Sequence, residues 1–102
     1  MSSSSRHPAI SPQMILEAAE VLKCIGHPIR LAILELLDER REQTVSEIHD
    51  RLAIDQPTAS QHLGLMRDRG ILASRREGVN VYYRIQDEKV VRVLDCLRSC
   101  DL

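Results

Sequence analysis

Residues 44–66, TVSEIHDRLAIDQPTASQHLGLM, contain the start signals of two short helices separated by a brief link. Thr44-Val45-Ser46-Glu47 has the Ser/Thr-x-x-Glu form of a capping box, in which a hydroxyl and a carboxylate satisfy free amides at a helix N-terminus. Asp55 is a preferred N-cap residue, and Pro57 follows it in the first turn, where proline is tolerated. Two capped helices joined by a tight link predict a helix-turn-helix, whose second helix lies in the major groove of DNA.

The apolar residues of these two helices recur at helical spacing, so they predict which sides face the core. Ile48 and Leu52 are one turn apart on the first helix, and Ala59, Leu63 and Met66 share one side of the second. The opposite side of the second helix is polar and suited to hydrogen bonds with base edges or phosphates. The predicted DNA-binding residues on that side are Gln56, Thr58, Ser60, Gln61 and His62.

The hydrophobic period changes after Gly70, where the second helix is predicted to end. Residues 71–76 and 79–85 form two short segments rich in β-branched or aromatic residues, and Glu77-Gly78 lies between them. This pattern predicts a β-hairpin with a glycine turn. A hairpin that follows a helix pair in this way is the wing of a winged helix-turn-helix.

The charge of the chain is distributed unevenly. The whole chain has a formal net charge of −1, yet residues 67–84 contain five arginines and two acidic residues, a local charge of +3. A local basic patch is the expected footprint of a nucleic-acid site. We predict that Arg67, Arg75 and Arg76 contact phosphates, which supplies affinity and little sequence information. A solvated surface would show the same pattern. The alternative of a winged-helix module that binds a protein partner and not DNA is disfavoured, because such a module has little need of this charge.

Three further helices are predicted outside this region. Ser11-Pro12 starts a helix that runs to about Ile25, and Pro28 starts another that ends in a charged, solvated turn at residues 38–42. His27 is predicted to lie at the junction between them. A last helix starts at Asp87. The first and last helices are apolar on more than one side, so each is expected to be buried on more than one side.

The predicted fold is therefore mostly α with a β-hairpin wing, in the order helix, helix, helix, helix, hairpin, helix. One domain spans residues 11–102, and residues 1–10 are predicted to be a disordered tail. No apolar run of about 18 residues and no secretory signal are present, so we expect a cytoplasmic protein without a membrane span. The odd count of three cysteines fits a reducing compartment. No catalytic motif or phosphate-binding loop occurs, so we expect a protein that is not an enzyme and has no cofactor.

Four blocks of the sequence closely resemble the ArsR/SmtB family of bacterial repressors. They are GHPIRLAIL at 26–34, QPTASQHL at 56–63, LMRDRGIL at 65–72 and YYRI at 82–85. The resemblance covers residues 13–98. It implies an elongated homodimer whose interface uses the first and last helices. It also implies repression of an inverted-repeat DNA operator, relieved when an inducer binds.

The resemblance also indicates where family members bind inducers, and this chain departs from those positions. The family's cysteine pair in the third helix is absent, because residues 44–53 contain no cysteine. Its site in the last helix is absent too, because residues 87–102 contain no histidine. Relatives that sense reactive sulfur use a cysteine in the second helix, where this chain has Glu35. No metal site of the usual kind is therefore predicted, and the inducer is not identified.

The candidate sensing residues are the three cysteines Cys24, Cys96 and Cys100. Cys96 and Cys100 are four residues apart and are predicted to share one face of the last helix. Three interpretations stay open: thiol oxidation or reaction with reactive sulfur, binding of a soft metal or metalloid ion, and simple burial as small apolar residues. A disulfide would more readily join Cys24 to one of the other two, because neighbours on one helical turn diverge.

Overall fold

The computed structural model describes residues 8–100, so residues 1–7 of the predicted tail and residues 101–102 lie outside it. The described elements are α1 (Pro12–Ile25), α2 (Pro28–Arg40), β1 (Gln43–Thr44), α3 (Val45–Leu52), α4 (Gln56–Asp68), β2 (Leu72–Glu77), β3 (Asn80–Ile85) and α5 (Glu88–Ser99). Their order confirms the predicted winged helix-turn-helix, with α3 and α4 as the helix pair and the β2–β3 hairpin as the wing. Within residues 8–100 no helix is long and apolar enough to cross a membrane.

The helices start where local sequence signals predict. The Thr44 hydroxyl accepts a hydrogen bond from the Glu47 amide at 3.2 Å, and the Glu47 carboxylate accepts one from the Thr44 amide at 2.8 Å. This is the complete capping box. Asp55 caps α4 by accepting from the Thr58 amide at 2.7 Å, and Ser11 caps α1.

The end of α2 differs from the prediction. Residues 38–40 of the expected turn continue the helix, which ends at Arg40, and the C-cap residue Arg41 has a φ of 71°. Leu36 and Leu37 are buried in the core, and the Asp38 carboxylate accepts a hydrogen bond from Arg98 of α5 at 2.9 Å. Packing and this cross-helix contact therefore extend α2 by a turn beyond the sequence-based boundary.

The sheet has one strand more than predicted. Its order is β1-β3-β2, all antiparallel, with Gln43 opposite Tyr83 in the short β1–β3 pair. In the wing, Glu77 pairs with Asn80, so the turn consists of Gly78 and Val79 rather than the predicted Glu77-Gly78. Gly78 adopts a φ of 65°, which glycine accepts without steric cost. Val79 occupies the second turn position and is 97% exposed. Strand β3 therefore begins at Asn80, one residue later than expected.

The core lies between the helix pair, α2, α5 and the sheet. Ile48, Ala59, Leu63 and Met66 are fully buried, as predicted, while Leu52 is only partly buried. In α1, by contrast, only Cys24 and Ile25 are buried. The exposed large apolar residues of this helix are Met14 (43%), Ile15 (54%), Leu16 (66%) and Leu22 (51%). A single chain therefore covers only the C-terminal end of α1, and the expected burial of its other sides stays a prediction that depends on a second chain.

Candidate nucleic-acid interface

Helix α4 has a fixed back and a polar front. Ala59, Leu63 and Met66 are fully buried and hold the helix on the domain. On the remaining surface, the predicted contact residues Gln56, Ser60 and Gln61 are exposed, and Thr58 and His62 are partly buried. The predicted contact residues therefore lie together on α4, away from the side that is buried in the core.

His62 is held by a residue that the sequence did not indicate. Arg30 of α2 donates a hydrogen bond from Nε to Nδ1 of His62 at 3.1 Å. The same guanidinium donates through NH1 to the main-chain oxygen of Cys24 at 2.8 Å. Arg30 therefore links the last turn of α1 to α4. The only available signal was its place in the GHPIRLAIL block, which does not show the residue it contacts.

The environment of His62 disfavours its charged form. Partial burial lowers the pKa of the His62 imidazole, and nearby His27 and Arg30 lower it further. The two imidazole rings have centroids 4.7 Å apart and an angle of 47° between their planes. His27 itself caps α2, because its Nδ1 accepts from the Ile29 amide at 3.1 Å. The predicted place of His27 at the helix junction is thus confirmed.

The two wing arginines lie on opposite faces of the hairpin. Arg75 is opposite Tyr82 in the pairing register, and Arg76 is opposite Val81. The Arg75 guanidinium lies 4.5 Å from the centroid of the Tyr82 ring. Val81 is two residues before the buried Tyr83, so the two side chains lie on the same face of β3. Arg76, opposite Val81, is therefore on the face of the wing that packs toward the domain.

The guanidinium of Arg75 forms ion pairs with two acidic side chains of the same chain. It makes two hydrogen bonds of 2.9 Å with the Glu42 carboxylate and one of 3.0 Å with Glu77. These contacts raise the pKa of Arg75 and, with Arg75 as the main cause, lower the pKa of Glu42. DNA binding by Arg75 stays a prediction, but the structure gives this residue an intramolecular role that the sequence analysis missed.

Arg67 and Arg76 are the other two predicted phosphate contacts. Arg67 donates from NH1 to the Tyr83 hydroxyl at 3.4 Å and from NH2 to Asp68 at 3.3 Å. It is therefore positioned at the C-terminal end of α4, against the wing. Arg76 is exposed and makes no ion pair with any residue among positions 8–100. Of the two wing arginines, Arg76 therefore has the more available charge.

The three cysteines have different environments. Cys24 is buried at 4% exposure, whereas Cys96 and Cys100 are exposed. Cys100 is the C-cap residue of α5, with φ −81° and ψ 142°, and the shared face of Cys96 and Cys100 stays a prediction. All three are free thiols. In the part of one chain that the structure describes, no three His, Cys, Asp or Glu residues are placed to hold a metal ion.

Comparison with known proteins agrees with this geometry. Residues 25–75 match a helix-turn-helix domain family. An HTH-type transcriptional regulator of Methanocaldococcus jannaschii is 41% identical over 76% of this chain and 88% of its own length. The crystal structure of the Bacillus anthracis repressor PagR superposes with a TM-score of 0.78 at 34% identity, covering 85% of this chain and 99% of PagR.

A third similar protein is the antimony-specific transcriptional repressor AntR. Its crystal structure superposes with a TM-score of 0.81 at 27% identity, covering 90% of this chain and 86% of AntR. These relatives are named as transcriptional regulators and not as enzymes. The interpretation as a DNA-binding protein is thereby favoured over a module that binds only proteins. The chain belongs to the ArsR/SmtB family of winged helix-turn-helix repressors, and it is a DNA-binding transcriptional repressor.

Proposed function

We propose that this repressor binds an inverted-repeat operator as a homodimer. The α4 helix of each chain would lie in the major groove of one half of the operator. The observation that carries this proposal is the two-sided surface of α4. One side is buried in the core, and Gln56, Ser60 and Gln61 are exposed on the rest of the helix. Side-chain amides and hydroxyls form hydrogen bonds with base edges. Arg76 and Arg67 would supply phosphate contacts beside the groove. A chromosomal operator as target means that the protein acts in the cytoplasm.

The homodimer is supported by the uncovered apolar residues of the terminal helices. Ile15 and Leu22 on α1 are about half exposed, and Leu97 on α5 is 40% exposed. Exposed apolar surface of this kind marks an interaction site more often than ordinary surface. A second copy of the chain fits it, because a two-fold dimer places two α4 helices to match the two halves of an inverted repeat.

The test of operator binding compares an alanine substitution on α4 with one on α2. Gln61→Ala removes a predicted base contact on α4, whereas Glu39→Ala changes an exposed residue on α2. Affinity for the promoter of the chain's own gene and for random DNA is measured by fluorescence anisotropy. We expect Gln61→Ala to lower the ratio of specific to non-specific affinity about tenfold, within the usual range for a base contact. An unchanged ratio in Gln61→Ala, or an equal loss in Glu39→Ala, would contradict the proposal.

For the inducer, we propose chemistry at the exposed thiols of Cys96 and Cys100. Reactive cysteines are accessible, so the exposed Cys96 and Cys100 are preferred to the buried Cys24, which stays the third predicted sensing residue. If a peroxide is the oxidant, two thiols form a disulfide and give up two protons and two electrons, and the peroxide becomes two waters. The second candidate is a soft metalloid ion bound by the same thiolates. The antimony specificity of the similar repressor AntR favours that candidate.

The two candidates are separated by release of operator DNA. Release is measured with peroxide, with polysulfide and with arsenite under reducing conditions, for the chain and for Cys96→Ser, Cys100→Ser and Cys24→Ala. Release by peroxide or polysulfide that is lost in Cys96→Ser or Cys100→Ser supports thiol chemistry. Release by arsenite alone supports the metalloid candidate. If no reagent releases the DNA, the cysteines do not sense the inducer.

A further inference from the structure

Arg30 has two contacts, and both are with neutral acceptors. Its Nε donates to Nδ1 of His62 at 3.1 Å, and its NH1 donates to the main-chain oxygen of Cys24 at 2.8 Å. The side chain is partly buried at the junction of α1, α2 and α4. No carboxylate among residues 8–100 forms an ion pair with it. The guanidinium is therefore oriented by a main-chain oxygen on one side and directed at one ring nitrogen on the other.

This contact decides where His62 carries its proton. A neutral imidazole has one N–H donor and one bare acceptor nitrogen. Arg30 has donors and no acceptor, so Nδ1 must be the acceptor, and the ring proton is on Nε2. Protonation of Nδ1 would place two N–H groups against each other. The pKa of His62 is lowered by burial, by His27 and by Arg30 itself, which favours the neutral ring at pH 7.

We propose that Arg30 is a positioning residue for operator recognition: it fixes the ring proton of His62 on Nε2, so α4 offers DNA a hydrogen-bond donor at that point. This inference rests on the proposed binding of α4 in the major groove. A donor at Nε2 selects acceptors, which are N7 and O6 of guanine, N7 of adenine, O4 of thymine and phosphate oxygens. It rejects the exocyclic amino groups of adenine and cytosine, since two donors cannot pair.

The anchor at Cys24 is part of the same arrangement. The Cys24 oxygen belongs to the last turn of α1, so the guanidinium plane is set by the helix whose exposed apolar surface is the proposed dimer interface. Lysine at position 30 would keep the charge, but a single ammonium cannot reproduce the planar arrangement of Nε and NH1 toward two acceptors. The Arg30→Lys variant therefore separates positioning from charge.

The first measurement requires no DNA. Nitrogen-15 NMR of the histidine rings reports which nitrogen carries the proton in the chain, in Arg30→Lys and in Arg30→Ala. We expect the His62 proton on Nε2 in the chain and a mixture of both tautomers in Arg30→Ala. Arg92→Lys, an exposed arginine on α5, is the matched control and should leave the His62 tautomer unchanged. A proton on Nδ1 in the unsubstituted chain would overturn the proposal.

The second measurement compares affinity for operator and for random DNA at several salt concentrations. If the acceptor of Nε2 is a base, Arg30→Lys should lower the specific to non-specific ratio about tenfold, and if it is a phosphate oxygen, Arg30→Lys should weaken binding to both DNAs equally. Its salt dependence should stay unchanged, whereas loss of a phosphate contact would lower the salt slope by about one. In a His62→Ala background, Arg30→Lys should have no further effect, because both changes remove the same contact. Additive losses, or a slope reduced by one, would overturn the positioning role.

The acceptor on DNA is identified with modified operators. Purines are replaced one at a time by 7-deaza analogues, and phosphates by neutral methylphosphonates. A modification that weakens binding of the chain but not of His62→Ala marks the partner of Nε2. If no modification acts through His62, the donor role is wrong. If the unsubstituted chain binds no operator at all, the proposed function fails, while the tautomer measured by NMR still tests the action of Arg30 on His62.

Discussion

Arg75 and Glu42 are 33 residues apart in the sequence, and two hydrogen bonds of 2.9 Å join the guanidinium of one to the carboxylate of the other. Arg75 lies on β2 of the wing, and Glu42 immediately precedes β1 and the start of the helix-turn-helix. An exposed ion pair contributes little to stability by itself, but a bidentate pair is geometrically specific. The pair therefore fixes the orientation of the wing relative to the helix pair that it accompanies.

The first prediction follows from the opposite faces of Arg75 and Arg76. Arg76→Ala should weaken binding to all DNA sequences and lower the salt slope by about one, as for a lost phosphate contact. Arg75→Ala should change the salt slope less, because acidic side chains already neutralise much of its charge. The slopes come from affinities measured over a range of salt concentrations.

The matching control for the first prediction breaks the same ion pair from its other side. Glu42→Gln removes the charged partner of Arg75 and keeps the arginine. Amide hydrogen exchange in β2 and β3 should then become faster in both Arg75→Ala and Glu42→Gln, but not in Arg76→Ala. A salt slope lowered by about one in both Arg75→Ala and Arg76→Ala would show that both arginines contact phosphates and that the ion pair opens on DNA. An unchanged slope in both would mean that neither arginine contacts a phosphate.

The features predicted correctly from the sequence are those encoded within a few neighbouring residues. Thr44 and Glu47, or Asp55 and Pro57, lie within one helical turn, so their spacing alone indicates where α3 and α4 begin. The buried faces follow from helical periodicity for the same reason. The two-residue strand β1 has too few residues for any periodic pattern, and it forms only because β3 is available as a partner.

The features that were missed depend on residues far apart in sequence. Arg30 and His62 are separated by 32 positions, and no local pattern shows that their side chains meet. The opposite faces of Arg75 and Arg76 are a different matter, because neighbouring residues of a strand always point to opposite sides. The predicted hairpin therefore already implied that Arg75 and Arg76 lie on opposite faces, although both were predicted as equivalent phosphate contacts.

The second prediction concerns the exposed apolar surface of α1. Leu22→Glu places a charge where the proposed dimer buries a leucine that is 51% exposed in one chain. Losing the burial of one such side chain costs about 1.5–3 kcal/mol, so the dimer dissociation constant should rise at least tenfold. Sedimentation equilibrium measures this constant directly. Operator affinity should fall in parallel, because half of the contacts belong to the second chain.

The matched control for the dimer is Val79→Glu. It makes the same kind of change at a side chain that is 97% exposed at the tip of the wing, away from α1. Its dimer dissociation constant should equal that of the unsubstituted chain. Equal weakening by both variants would mean that added negative charge, and not the loss of a specific apolar contact, dissociates the dimer. No change in Leu22→Glu would place the interface elsewhere.

The third prediction tests the capping box of α3. Thr44→Ala removes the hydroxyl that accepts from the Glu47 amide at 3.2 Å and should lower the free energy of unfolding by about 1 kcal/mol. Thr44→Ser keeps the hydroxyl and should restore most of this loss. Both are measured by urea denaturation at one fixed protein concentration, because dimerisation contributes to apparent stability. A serine variant as unstable as the alanine variant would mean that the threonine methyl group, not the cap, provides the stability.

The fourth prediction concerns the dependence of stability on pH. The folded chain lowers the pKa of His62, so the unfolded chain takes up a proton first when the pH falls. Stability from this residue is therefore complete above about pH 6.5, the ordinary histidine value, and is lost as the pH falls through that value toward the lowered folded pKa. Acidification opposes folding here because the charged ring would be partly buried, and because it would lie beside His27 and the positive charge of Arg30.

The variant that isolates this effect is His62→Asn, whose side-chain oxygen is the one nearest to the position of Nδ1 and can accept a hydrogen bond from Arg30 but does not titrate. The free energy of unfolding is measured from pH 8 to pH 5.5 at constant protein concentration. The difference between the chain and His62→Asn should be constant at pH 7.5–8 and should shift against the chain below about pH 6.5. A difference that stays constant over the whole range would mean that folding does not perturb the titration of His62.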